Sequence, residues 1–166
     1  MGKLKVIIEK KESQEELERI LQNNQLMKLD ETCNTYVYLE IEDTYIVGLA
    51  YYSLGIDIEY VVSGDNQYIY LGVGTKLVCI DFNKKEVVSC EKLSSAFLDL
   101  LKDDDDLYYI VVCELDLYVY MNNKLLWKTG FRDIVLDYEL VDNKCIRIET
   151  DDGAEVVFNL RDGMLV

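Results

Sequence analysis

Proline and histidine are both absent from these 166 residues. Without histidine, the commonest general base and metal ligand near neutral pH is missing. That excludes Ser-His-Asp and Cys-His catalysis and His-ligated zinc, and leaves carboxylate or tyrosine chemistry. Without proline, a common guard of sheet edges is missing, so edges must be managed by charge or by covering elements. Bases are scarce: 17 Lys and Arg stand against 32 Asp and Glu, a formal net charge of -15. Such a field repels nucleic acid and anionic membrane and attracts basic partners. No apolar run approaches the ~20 residues that span a bilayer. The N-terminal apolar run is too short for a secretory signal. Met1-Gly2 is followed by Val6 where a myristoylation site requires Ser or Thr. No C-x-x-C occurs among the five cysteines. Cys79, Cys113 and Cys145 fall inside apolar strand patterns, so buried reduced thiols in a reducing cytoplasm are expected.

What is present is enough for a core. Half the residues are hydrophobic, and a chain of this size buries roughly 70% of the surface of its unfolded form. We expect one domain over 1–166, with a strand-and-helix appendage over 1–34 and a β-repeat core over 35–166.

The core is organised around residues 67–90, which read as three short strands with turns at Gly72-Val73-Gly74 and Asn83-Lys84-Lys85. The stretch recurs. The run from Leu77 to Phe82, followed by Asn83 and Val87-Val88, is matched 39 positions on by Asp116 to Met121, Asn122-Asn123-Lys124 and Leu125-Leu126-Trp127. It is matched again 39 positions further by Glu155 to Leu160, Arg161-Asp162-Gly163 and Met164-Leu165-Val166. Upstream, residues 3–9 read as a strand. Ser13 and Glu16 form a capping box for a helix with Leu17, Ile20 and Leu21 on its apolar stripe. Residues 36–49 read as a hairpin about Glu42-Asp43-Thr44. Ser94 reads as the N-cap of a second short helix carrying Phe97, Leu98 and Leu101. Residues 133–141 read as a half-buried strand with Ile134, Leu136, Tyr138 and Leu140 on one face. Asp151-Asp152-Gly153 is a hairpin turn. The class is therefore mainly β with two short helices (α+β).

A period near forty with several short antiparallel strands resembles a β-propeller blade. The pattern of strand, short turn and apolar strand ending in Trp127 resembles the quinoprotein-type blade. The resemblance covers roughly residues 36–166, and only fragments of that family's motif are present: Asp81 and Glu86 in one copy, Trp127 in another. It implies antiparallel blade-like sheets, open or curled rather than a full ring, because most closed propellers have four to eight blades. It implies no cofactor.

Candidate chemistry is sparse. Asp103-Asp104-Asp105-Asp106 supplies hard oxygen ligands but lacks the spacing of an EF-hand, and reads as a solvated acidic loop. Asp57 and Glu59 share one strand face and read as its wet side. Gly72-Val73-Gly74 lacks the third glycine and the helix of a dinucleotide site. No catalytic, cofactor-binding or metal-binding residue is expected. The 13 tyrosines suit half-buried strands, and next to acids they also suit a protein-binding face. Asp103, Asp104, Asp105, Asp106, Tyr108, Tyr118 and Tyr120 are the expected partner-binding set, provided that Tyr118 and Tyr120 face solvent. The expected function is that of a non-enzymatic protein-binding inhibitor. Its specific form is a bacterial cytoplasmic immunity protein that occludes the active site of a basic toxin, such as a nuclease. The alternative is a β-repeat scaffold or sensor domain for another ligand.

Overall fold

The computed structural model describes residues 4–166; Met1-Gly2 and the first residue of the expected N-terminal strand, Lys3, lie outside the described residues. The chain forms two compact units, one reaching to Glu91 and one from Lys92 to Val166.

In the first unit, β1 (Val6–Lys11), α1 (Gln14–Leu21), β2 (Gln25–Lys28), β3 (Thr35–Ile41) and β4 (Tyr45–Tyr51) build a sheet of order β1-β3-β4-β2. The pairs β1/β3 and β3/β4 are antiparallel, and β2 lies parallel to β4. The N-terminal strand is thus an edge of the first sheet. A second sheet follows in simple meander order: β5 (Glu59–Val62), β6 (Tyr68–Val73), β7 (Lys76–Asp81) and β8 (Glu86–Lys92). Alternation decides the packing. Val37, Leu39, Ile41, Val47 and Leu49 from the first sheet meet Ile69, Leu71, Val78 and Ile80 from the second in one dry layer.

The opposite face of the first sheet is covered by α1. Ser13 Oγ accepts from Glu16 N at 3.2 Å. Glu16 returns a carboxylate oxygen to Glu12 N at 2.9 Å, one residue earlier than a standard capping box. Leu17 and Leu21 are buried while Ile20 faces out, so the apolar stripe is narrower than expected. It fits because β4 carries Gly48 beneath it. A Cβ there would lie 2.4 Å from Leu21 Cδ1 and 3.3 Å from Leu17 Cδ2.

The second unit repeats the arrangement. β9 (Phe97–Lys102), β10 (Tyr108–Cys113), β11 (Asp116–Met121) and β12 (Lys124–Gly130) form a four-stranded antiparallel sheet. β13 (Val135–Val141), β14 (Cys145–Thr150) and β15 (Glu155–Asn159) form a three-stranded one, with a single bridge from Phe158 to Leu165. Ile110, Val112, Leu117 and Val119 pack against Val135, Ile146, Ile148 and Phe158. Trp127 clamps the two sheets. Its indole N–H donates to Leu160 O at 2.7 Å, its ring lies 5.8 Å from Phe158, and Gly163 leaves room beneath it. The fold is therefore mainly β with one helix and four blade-like sheets, none of them closed into a barrel. Among the described residues no helix is long and apolar enough to cross a membrane.

Two expectations about faces are corrected, both by β-bulges. The second helix does not form: residues 97–102 are β9. Leu101 pairs with Ile110 and Phe97 with Cys113, with a register shift between. The extra residue turns the strand's two-residue period into three, so Leu98 and Leu101 share a face at helix-like spacing. Ser94 caps no helix. It donates its N–H to Tyr118 Oη at 3.0 Å and accepts the Tyr118 hydroxyl at 2.9 Å. In β13 a shift between Val135 and Asp137 inverts the expected parity of the residues before it, while Tyr138 and Leu140 keep theirs. Val135, Tyr138 and Leu140 face the core, while Ile134 and Leu136 are exposed.

Of the five thiols, all free, Cys79 and Cys113 are buried, Cys33 and Cys145 half-buried and Cys90 exposed. Burial pushes the Cys79 and Cys113 thiols up to about 12. Two predictions follow from this packing. Gly48→Val should destabilise the protein by about 1–3 kcal/mol in urea titration, because the helix must lift off its sheet. Brief alkylation of native protein at mildly alkaline pH, read by mass spectrometry, should label Cys90 and leave Cys79 and Cys113 unmodified until denaturant is added.

Candidate functional site

The acidic tetrad forms the turn between β9 and β10, and its four carboxylates have different fates. Asp103 is buried, and its Oδ1 accepts from Leu107 N at 2.8 Å and Tyr108 N at 2.6 Å. Its own N–H donates to Tyr108 O, and Asp106 N–H donates to Asp103 O, with Asp106 in the left-handed region. The β5–β6 turn does the same with Ser63. Ser63 Oγ accepts from Tyr68 N at 2.8 Å, Asn66 N–H donates to Ser63 O, and Asn66 has φ 58. Asp103 is therefore the turn-forming residue of its sheet, forty positions after Ser63, and is not available to a partner. Asp106 pairs with Lys102. Asp104 accepts from Asn143 Nδ2, across the β13–β14 turn. Asp104 and Asp105 are the exposed members.

The expected aromatic companions do not gather there. Tyr118 and Tyr120 are buried, at 3% and 6% exposure, because β11 is an inner strand covered on both faces. Tyr118 spends its hydroxyl on Ser94, at the end of the sheet away from the acidic turn. Tyr108 is half-buried and lines a small cleft beside the turn. The solvent-facing Tyr118–Tyr120 pair expected beside the tetrad is thus not formed. Asp57 pairs with Lys10, and Glu59 is exposed at the start of β5.

A denser carboxylate group lies on the outer face of the β13–β15 sheet. The strand register sets Glu139 opposite Arg147, Asp137 opposite Glu149, and Glu149 opposite Glu155. All point away from the core, and the Arg147 guanidinium holds them together. It lies 2.6 Å from Asp137, 3.4 Å from Glu139, 3.7 Å from Glu149 and 3.4 Å from Glu155. Hydrogen bonding from Arg147 holds the Asp137 carboxyl below the usual carboxylate range, and the same bond raises the guanidinium. One cation among four acids leaves the face strongly negative. Val141, Cys145 and Val157 lie half-buried on the same face, and Leu136 protrudes from the bulge beside Asp137 with 60% exposure. The sequence carried a usable signal: Asp137 and Glu139, like Arg147 and Glu149, are two apart and so share a face. What the sequence did not show is the cross-strand register that brings Arg147 and Glu155 onto the same face. Among the described residues no set of three or more carboxylates and thiols is disposed to hold a metal ion.

Two clefts on this unit stand out among the described residues. One, of about 210 Å³, is lined by Tyr108, Asn143, Lys144, Asn159 and Arg161. The other, of about 310 Å³, lies between Phe131, Arg132, Asp152, Val156, Phe158 and Leu165.

No protein-family model matches the sequence, and no curated protein matches it. Solved structures resemble it in fold. The WD40 domain of Toxoplasma gondii coronin has a TM-score of 0.58 at 8% identity, covering 84% of this chain and 43% of that one. A dihydro-heme d1 dehydrogenase, NirN, has a TM-score of 0.57 at 16% identity over 79% of this chain and 31% of its own. The β-propeller domain of Swd1 from Myceliophteria thermophila has a TM-score of 0.53 at 13% identity over 68% of this chain and 38% of its own. The chain spans less than half the length of these structures. The likeness establishes blade-like β-propeller sheets and bears out the blade-repeat resemblance.

The turn chemistry makes a sharp prediction. Asp103→Ala should cost about 1–3 kcal/mol in urea titration, since it orphans two turn amides. Asp103→Asn, which keeps the acceptor, should recover most of that loss, and Asp104→Ala should stay within about 0.5 kcal/mol. The Arg147 cluster predicts a pH dependence. The folded-state value of Asp137 is depressed, so its stabilisation is present above about pH 4 and is lost as pH falls through that depressed value. The stability gap between wild type and Arg147→Leu should therefore narrow as pH falls below about 4.

Proposed function

We propose that this chain is a non-enzymatic protein-binding module whose partner is basic. The observation that carries the reading is the outer face of β13–β15, where Asp137, Glu139, Glu149 and Glu155 crowd one guanidinium beside the exposed Leu136. A partner's Lys or Arg side chains would find unspent carboxylate oxygens there, and Leu136 would supply apolar contact. The exposed Asp104 and Asp105 extend the negative surface at the β9–β10 turn. A net charge of -15 would steer such a partner toward the protein over several ångströms of solvent. Propeller-like sheets are compatible with this role because short strands and turns present broad rigid surfaces.

The specific form we favour is occlusion of a basic toxin domain, for which a nuclease is the natural candidate: its phosphate-binding cations would meet carboxylates in place of substrate. A cytoplasmic immunity protein would act in this way, and free cysteines fit that compartment. A scaffold or sensor that binds a neutral ligand is the competing reading.

The test begins by capturing partners from the native host on the immobilised chain at low salt, then following association with the captured protein. We expect a basic partner whose association slows about tenfold or more from about 50 to about 500 mM salt. The combined Asp137→Asn and Glu139→Gln variant should slow it further at low salt. A rate indifferent to both salt and these substitutions would overturn the reading in favour of the scaffold or sensor. Loss of the partner's enzymatic activity on mixing would mark the inhibitor.

A further inference from the structure

Acids outnumber bases, and seven of the described cations find one. Lys5, Lys10, Lys11, Lys76, Lys84, Lys102 and Arg147 all sit in ion pairs. Lys144 and Arg161 do not, although Asp142 and Asp162 adjoin them in sequence. Asp162 instead turns its carboxylate to Met164 N at 3.0 Å. Lys85 donates to Thr44 O, Lys128 lies over the Tyr118 ring and Arg132 acts on Asp152. Arg19, Lys28, Lys92 and Lys124 are unpaired and exposed, as Lys144 and Arg161 are, but line neither of the two clefts described. Lys144 and Arg161 share one.

The backbone brings them to the same end of the sheet. Leu160 N donates to Lys144 O at 2.8 Å, and Cys145 pairs with Asn159, so Lys144 and Arg161 flank the last turn of the sheet. Asn159 completes the wall. Its Oδ1 accepts from Arg161 N at 2.9 Å, which leaves its amide donors facing away from that bond. Tyr108 contributes a half-buried ring from β10. Asn143 spends its amide on Asp104, which draws that carboxylate toward the cleft's rim and binds it there. The result is a concave site of about 210 Å³ with two uncommitted cations, an amide and a phenol.

The geometry points to a binding site for a phosphoryl group, formed by Lys144, Arg161, Asn159 and Tyr108. The volume is below the ~300 Å³ at which small-molecule pockets begin, so the cleft suits a compact group and not a whole cofactor. A guanidinium fork and an ammonium together match phosphate oxygens. Charge argues for a dianion. At contact distance the two cations outweigh the screened charges farther off, and the four oxygens of a phosphate can take the fork, the ammonium and the Asn159 amide together, where a carboxylate has only two. This site is separate from the acidic face proposed for a basic partner and stands whether or not that reading does.

Backbone amide NMR of the full chain, titrated with inorganic phosphate against sodium chloride of equal ionic strength, tests it. We expect saturable shifts confined to residues around Tyr108, Asn143 to Cys145 and Asn159 to Asp162. They should strengthen as pH rises from about 6 to about 8 and phosphate takes its second charge. Arg161→Gln and Lys144→Gln should each weaken binding about tenfold or more while leaving the rest of the spectrum unchanged. Acetate should bind more weakly than phosphate. A phosphopeptide binding with the same shifts but higher affinity would identify a protein-borne phosphoryl group, and phosphate binding as tightly as the peptide would identify free phosphate. Shifts no larger than those from chloride, shifts that survive both substitutions, or acetate binding as well as phosphate would each overturn the assignment.

Discussion

Each unit of this protein depends on one dry layer between two sheets. A strand in water offers half its side chains to one face, and a sheet is stable only when that face is covered. In the first unit Val37, Leu39 and Leu49 cover Ile69, Leu71 and Ile80. In the second, Ile110 and Val119 cover Ile146, Ile148 and Phe158. At about 25 cal/mol per Å² of apolar surface, these layers are the main favourable term. The hydrogen-bonded turns and the Trp127 clamp hold register around them.

The remaining faces are managed differently. The first sheet gives its second face to a helix, with Gly48 making the space. The three-stranded sheet gives its outer face to charge, with Arg147 balancing only part of the acid around it. That charged face has no packing duty. Next to it, the turns linking β13 to β14 and following β15 collect two cations that no acid neutralises. The second unit thus carries surfaces of both signs within one small structure, and each sign calls for its own kind of partner.

The blade period, the turns and most strands could be read from the chain, because alternation and turn residues are local properties. The misreadings have a common cause. Leu98 and Leu101 share a face three apart because a bulge adds a residue to β9, which mimics a helix. Leu136 is exposed and Val135 buried because a bulge at Leu136 inverts the parity of the first part of β13, while Asp137 and Glu139 keep the outward face that alternation gives them. Asp103 looked like part of a charge run, but it serves the backbone as Ser63 does in the preceding sheet. Tyr118 looked like a contact residue, but β11 is an inner strand.

The sequence by itself determined that the chain is acidic, mainly β and built on a period near forty, since composition and alternation are written residue by residue. Which carboxylates remain free, and which cations lack a partner, was decided only by tertiary structure. Arg147 meets Glu139 and Glu155 because three strands come into register. Lys144 comes to the same end of the sheet as Arg161 because β14 and β15 pair. Register sums many weak contacts along whole strands, and one inserted residue resets it, so no short window of sequence contains it.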